Sequence, residues 1–342
     1  MRAPVLLTAA LVAFTSSPAL AEDEAPPASW DEYQGAHSLS CKGSGEPLAK
    51  PETRQHAGFE YTFHGTWAKV RRLGEPRKSE EIKLGVLSGI KELDPPTRAA
   101  LDGFFARFKA EGVEAILVGG DSAERESHLE EVFAYLAACE LPVFVVIGNW
   151  ESRAPFNRAL RLVAREHPNV VNMSFARRID ADGYDVVGLG GYTERAYAKS
   201  GGVCLYKKED VDELVALAGQ ADDPVVLLMH GPPLQKGQRA IDFVPGAGNV
   251  GDPSITEAIK RAKIAFGVHG HILEAGGRAT DLAGKPLAEG KLHPALFLNP
   301  GPASALPWKL NDGKMSYGLA AILTLKGKSA RYEILRASKP RE

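Results

Sequence analysis

The 342-residue chain carries 41 Lys and Arg against 43 Asp and Glu, a formal charge of −2, with 44% hydrophobic and 25% charged residues. That is the balance of a globular chain with a sizeable core and one or two domains. It leaves no electrostatic footprint for nucleic acid, and past the first residues no segment reaches the roughly 18 consecutive apolar residues of a membrane span.

Residues 1–21 read as an export signal. Arg2 is followed by the short apolar run Val5 to Phe14 and the small-residue site Ala19-Leu20-Ala21, which places the mature start near Glu22 and the protein in a periplasmic or secreted location. Residues 22–80 read as a mobile lead-in, rich at first in Pro, Gly, Ser and charge. The alternation Phe59, Tyr61, Phe63 within it marks a candidate edge strand. The basic cluster Lys69-Val-Arg-Arg72 reads as solvated surface. The three cysteines, Cys41, Cys139 and Cys204, include no CxxC pair. One disulfide is compatible with an oxidising compartment, and buried free thiols suit Cys139 and Cys204 at least as well.

From residue 81 to 337 the pattern predicts one domain. Strands are expected over 82–88, 114–119 and 142–147, separated by helices that start at Pro95-Pro96-Thr97 and carry Leu129, Val132, Phe133 and Leu136 on one face. A third helix runs from about 154 to 166. This β-α-β-α-β order implies a parallel sheet. The second half repeats the theme with strands over 184–189, 224–229, 264–268 and 295–298, helices around Val211 to Val215 and 254–262, and a closing hairpin around Lys326-Gly-Lys328.

Polar groups recur where these strands end. The series is Ser88-Gly-Ile-Lys91, Gly119-Gly-Asp121, Gly148-Asn-Trp-Glu151, His230-Gly-Pro-Pro233 and His269-Gly-His271-Ile-Leu273. Carboxyl ends of strands are where ligands bind in open α/β sheets. Taken one at a time these are ordinary turn pairs and solitary histidines; their order and shared position set them apart.

This series resembles the calcineurin-like metallophosphoesterase superfamily over roughly residues 82 to 305. The resemblance implies an α/β fold, a metallophosphoesterase-type α/β/β/α sandwich with two facing β-sheets, and a two-metal site. That family carries Asp-x-His, Gly-Asp, Gly-Asn-His-Glu/Asp, a solitary His and Gly-His-x-His in this order. The chain departs from the pattern in one half only. Gly89, Lys91 and Leu273 stand where one metal has its Asp, His and His ligands. The set implied for the other metal, Asp121, Asn149, His230 and His271, is intact. One carboxylate, one amide oxygen and two imidazoles suit one divalent ion such as Zn, Mn or Fe; a second metal is not expected. Pairing His269 with His271 as the His-x-His motif is an alternative alignment, though the Glu-Ala-Gly-Gly that follows favours the first.

Two further substitutions bear on activity. Lys91 offers a positive charge for the missing ion near Asp121, or a phosphate contact. Trp150 replaces the histidine that assists phosphoryl transfer in the family; indole cannot titrate and offers one N–H donor. It is expected to fill vacated space or to stack on a ligand. Whether the chain is an enzyme stays open. The leading expectation is an exported, non-catalytic or strongly impaired phosphoesterase that binds a phosphorylated small molecule or a protein partner. An active one-metal hydrolase and a metal-free structural protein are the alternatives.

Overall fold

The structure, a computed structural model, describes residues 25–199 and 201–340. The expected export signal, residues 1–21, lies outside the described residues. Among these, no helix is long and apolar enough to cross a membrane.

The chain opens with α1 (Trp30–Ala36) and a meander of β1 (Glu52–His56), β2 (Phe59–Phe63) and β3 (Trp67–Arg72). The first α/β half follows: β4 (Glu81–Leu87), α2 (Pro95–Glu111), β5 (Ala115–Val118), α3 (Leu129–Ala137), β6 (Val143–Val145), α4 (Arg153–Glu166) and β7 (Val170–Asn172). Then come β8 (Arg178–Ala181), β9 (Tyr184–Leu189), α5 (Lys208–Ala218) and β10 (Val225–Met229). A small hairpin of β11 (Phe243–Val244) and β12 (Gly248–Asn249) precedes α6 (Pro253–Ala262), β13 (Phe266–His269), β14 (Arg278–Thr280) and β15 (Leu296–Asn299). The chain closes with the hairpin β16 (Trp308–Lys309) and β17 (Met315–Ser316), then the long hairpin β18 (Leu319–Lys326) and β19 (Ser329–Arg336).

Two large sheets result. One runs β1-β2-β3-β8-β9-β10-β13-β15-β14 and the other β19-β18-β4-β5-β6-β7. Strands β4 to β7 are mutually parallel, as are β9, β10, β13 and β15. Period-2 alternation sorts their side chains. Leu84, Val86, Ala115 and Leu117 join Val226, Leu228, Val268 and Leu298 in the core between the sheets. Ile116, Val118 and Val143 turn outward under α2, α3 and α4, while Val187, Leu227 and Phe297 turn outward under α5 and α6. The expected α/β/β/α sandwich of two facing sheets is the architecture observed. Helix ends are set locally. Asp94 caps α2 by accepting from the Thr97 N–H at 2.9 Å, with prolines in the first turn, and Gly112 in the left-handed region ends it.

The lead-in is the main correction. Residues 30–72 form a helix and three strands that extend the larger sheet, where a mobile segment is expected. The Phe59-Tyr61-Phe63 strand is not an edge, because β1 and β3 flank it. Trp30 stacks on Phe63 at 4.7 Å between ring centroids. Asp31 on α1 holds Arg161 and Arg165 of α4 at 2.6 and 2.9 Å. Trp30 and Tyr33, both buried, thus anchor a helix that composition conceals. Cys204 is likewise not a free thiol: it pairs with Cys41 across 163 residues, and Cys139 stays free.

A crosslink closing so long a loop restricts the unfolded chain strongly. The double variant Cys41→Ser, Cys204→Ser is expected to lose about 2–5 kcal/mol of stability, read as a lowered urea midpoint with unchanged far-ultraviolet dichroism.

Candidate metal and ligand site

The carboxyl ends of the two parallel strand sets converge. Asp121 follows β5, Asn149 follows β6, His230 follows β10 and His271 follows β13. The loops approach closely: a Cβ on Gly270 would lie 2.1 Å from Ser88 Oγ and 2.7 Å from the Gly119 carbonyl. Only glycine allows this meeting of the two sheets. The sequence accommodates the loops at some conformational cost, since Lys91, Asp121 and His271 have φ of 65°, 54° and 61°. Non-glycine residues in this region cost roughly 1–2 kcal/mol each and gather at functional sites.

The four residues expected as ligands do come together. His230 Nε2 lies 2.8 Å from Asn149 Oδ1 and 3.5 Å from Asp121 Oδ1. His271 Nδ1 lies 3.1 Å from Asn149 Oδ1 and 3.2 Å from His230 Nε2. Their protonation follows from their outer partners. His230 Nδ1 is 2.8 Å from the Gly119 carbonyl, which can only accept, so Nδ1 carries a proton, and in the neutral ring Nε2 is then the nitrogen with the lone pair. Asn149 Nδ2 donates to the Tyr197 carbonyl at 2.6 Å, which turns Oδ1 toward the histidines. In that neutral form Nε2 and Asn149 Oδ1 face each other at 2.8 Å as two acceptors. Asp121 Oδ1 is buried beside them with no hydrogen-bond partner. Burial, then the neighbouring His230, holds His271 well below the usual imidazole range, so its ring is neutral at neutral pH, with one nitrogen protonated and the other an acceptor.

Mutual spacings of about 3 Å are those of atoms sharing one ion at about 2.0–2.2 Å. The donor set fits a divalent ion of the Zn, Mn or Fe type. Among the described residues, no group of three or more His, Cys, Asp or Glu is arranged to hold a metal ion; the cluster here has an amide oxygen at its hub.

The other half of the expected two-metal site is filled with hydrocarbon. Leu273, 6% exposed, lies in a short 3-10 turn (Leu273–Ala275), and its Cδ2 is 3.0 Å from where a Cβ on Gly89 would sit. The replaced positions thus pack on each other. Lys91 does not take the place of the missing ion at Asp121. Its backbone N–H donates to the Asp121 carbonyl, but its ammonium lies 3.4 Å from Glu124 Oε1 and 3.8 Å from the Trp150 ring centroid. The left-handed turn at Lys91 carries the side chain past the carboxylate. His269 is no part of the cluster. Its Nδ1 reaches the Gly231 carbonyl at 3.0 Å, its ring packs near Phe297, and burial pushes its pKa down to about 4.

Several supporting residues escape a strand-end reading of the sequence. Glu151 is fully buried and accepts from the Ser122 and Gly148 N–H groups, joining the loops after β5 and β6. Burial, and then the Asp121 carboxylate, pushes its pKa up. Its place two residues after Asn149 was the available signal. Tyr192 lies against His271 at 4.1 Å between ring centroids, with Tyr197 edge-on at 6.1 Å. Both come from the loop after β9, which carries no motif. A cleft of about 500 Å³ opens beside the cluster, bounded by Trp150, Tyr197, Lys199, Val244, Ile272 and Trp308.

The calcineurin-like phosphoesterase family model matches residues 94–275. No curated protein sequence matches the chain. One solved structure is covered over its whole length by 75% of this chain, with 15% identity and a TM-score of 0.54. A dimetal phosphatase from Danio rerio is similar at 13% identity and a TM-score of 0.44, covering 75% of this chain and 99% of that one. A phosphopantetheinyl hydrolase from Mycobacterium tuberculosis shares 18% identity over 65% of this chain and 90% of that one, at a TM-score of 0.41. Likeness at these identities speaks to the fold alone.

Two substitutions test the packing described above. Glu151→Ala leaves two buried N–H groups without an acceptor and is expected to cost about 2–4 kcal/mol in urea unfolding. Gly89→Ala places a Cβ against Leu273 at positive φ and is expected to cost about 1–2 kcal/mol. Adding Leu273→Ala to Gly89→Ala relieves the contact and not the backbone strain, so a double-mutant cycle separates the two.

Proposed function

The chain belongs to the calcineurin-like phosphoesterase family, and from that premise we propose that it is an exported member holding one divalent metal and binding a phosphorylated ligand, with hydrolysis lost or strongly impaired. The observation that carries this reading is the pair of facing acceptors, Asn149 Oδ1 and His230 Nε2 at 2.8 Å, beside the unpartnered Asp121 Oδ1. A shared cation removes the repulsion between them and supplies the buried carboxylate with a partner.

The metal, when bound, supplies Lewis-acid polarisation of a phosphoryl oxygen. This chain's residues provide less than a hydrolase needs. Clamping both the attacking and the leaving oxygen takes two ions, and Leu273 against Gly89 occupies the second position. Trp150 cannot exchange a proton with the leaving group, which removes a contribution of typically 10²–10⁴ in rate. Asp121 Oδ1, Asn149 Oδ1 and His230 Nε2 offer a phosphate oxygen no donor themselves; with His271 they would hold the cation to which such an oxygen binds at the mouth of the cleft. The Cys41–Cys204 disulfide supports export, because such bonds persist in oxidising compartments.

Metal analysis of the purified chain, paired with hydrolysis assays on phosphomonoester and phosphodiester panels, tests this reading. About one equivalent of Zn, Mn or Fe is expected, falling in His230→Ala and Asn149→Ala, together with turnover near background whether or not Mn or Zn is added. Two equivalents would overturn the half-site and none would leave a metal-free fold. Turnover that vanishes in Asp121→Ala would establish an active one-metal hydrolase instead.

A further inference from the structure

Two ammonium groups meet on one indole beside the cluster. Lys91 Nζ lies 3.8 Å and Lys199 Nζ 4.3 Å from the Trp150 ring centroid, so they are at most about 8 Å apart. Each lysine is tied by its backbone to a residue of the donor set: the Lys91 N–H donates to the Asp121 carbonyl and the Lys199 N–H to the Asn149 carbonyl, both at 3.2 Å. The indole face attracts cations and fixes where both side chains end. Their charges are not matched. Lys91, with its side chain 7% exposed, has Glu124 at 3.4 Å. Lys199 is exposed and has no ion pair among the described residues. Lys199 therefore brings an ammonium without an ion pair to the mouth of the cleft, in a lining shared with His271, Asn149 and the carboxylate of Glu274.

The remaining walls have a different character. Trp308 and Tyr197 are 38% and 43% exposed, and with Val244 and Ile272 they line the same cleft of about 500 Å³. Glu274 is the one carboxylate in that lining, which disfavours a second anionic group at that wall. A compact anion next to a flat apolar surface is the shape that these walls complement.

We propose that Lys199, held over Trp150, is the anion-binding residue of a subsite for aryl phosphate monoesters: the phosphate lies between Lys199 and the donor cluster, and the aromatic group lies on Trp308, Tyr197 and Ile272. This rests on the phosphorylated-ligand reading above. It gives Trp150 a positioning role, as the platform that aims Lys199, in place of the proton transfer lost with the histidine. Lys91 completes that platform from the buried side.

Calorimetric titration of the full chain with phenyl phosphate, inorganic phosphate and phenol tests the subsite, on protein with its metal and after chelation. Phenyl phosphate is expected to bind more tightly than either fragment. Lys199→Ala should weaken it by roughly 10- to 100-fold without altering metal content or the urea midpoint, and Lys199→Arg should recover part of the loss. Trp150→Leu should weaken phenyl phosphate while leaving the metal in place. Binding of phenyl phosphate that is indifferent to Lys199→Ala overturns the subsite and spares the metal reading. Lys199-dependent binding that persists after chelation supports the subsite while separating it from the metal. Binding of inorganic phosphate as tight as phenyl phosphate overturns the aryl assignment.

Discussion

An amide oxygen, a carboxylate oxygen and two imidazole nitrogens aimed at one another set the terms for the rest of this molecule. Asn149 Oδ1 and His230 Nε2 are fixed as acceptors by what lies behind them, the Tyr197 and Gly119 carbonyls. Neither can turn to relieve the conflict without abandoning that outer bond. Such an arrangement is costly unless a positive charge sits at its centre. The fold bears further costs to maintain it, in the left-handed backbone of Asp121 and His271 and in glycines where the two sheets meet. A site that had merely drifted after losing its metal would relax first at these points.

The neighbouring half took the opposite course. Where the family pattern implies an aspartate and a histidine, the chain has Gly89 and Leu273, and these two positions pack together. Removing the ligands of an ion while keeping the cavity would leave either unpaired charges or a void, and both are destabilising. A leucine over a glycine answers both, because it brings no charge and fills the volume. Lys91 completes the change. Its ammonium is directed to Glu124 and to Trp150, so the charge of the lost ion is not restored beside Asp121. That carboxylate is left to the surviving half, which is where its orphaned oxygen points.

The order of the strands was legible in the sequence because it depends on short-range pattern, and the four candidate donors through their resemblance to the family's motif order. Five or six apolar residues that end in a polar group mark a buried parallel strand and its carboxyl end. The amino-terminal segment was not legible for the converse reason. Its helix has seven residues and its hold comes from Trp30 on Phe63, about 30 residues on, and Asp31 on two arginines of α4, about 130 residues on, contacts that no local window contains. The pairing of Cys41 with Cys204 and the direction of the Lys91 side chain are of the same kind. Each is decided by where a distant loop arrives. Lys199 and the two tyrosines sit in a loop whose composition resembles any solvated turn.

That loop now connects features that the sequence leaves separate. It leaves β9, passes Tyr192 and Tyr197 over His271, gives the Tyr197 carbonyl to Asn149 and the Lys199 N–H to the Asn149 carbonyl, and returns to Cys204. Tyr192 and Cys204 bond across its base through the Tyr192 N–H at 3.0 Å. The orientation of the amide at the hub of the donor cluster therefore depends on a segment that the disulfide pins to the amino-terminal region. The residues before β4 are joined to the site through this chain of bonds. They are part of what holds Asn149 Oδ1 toward the histidines, and the donor cluster is a property of the whole chain rather than of the strand ends alone.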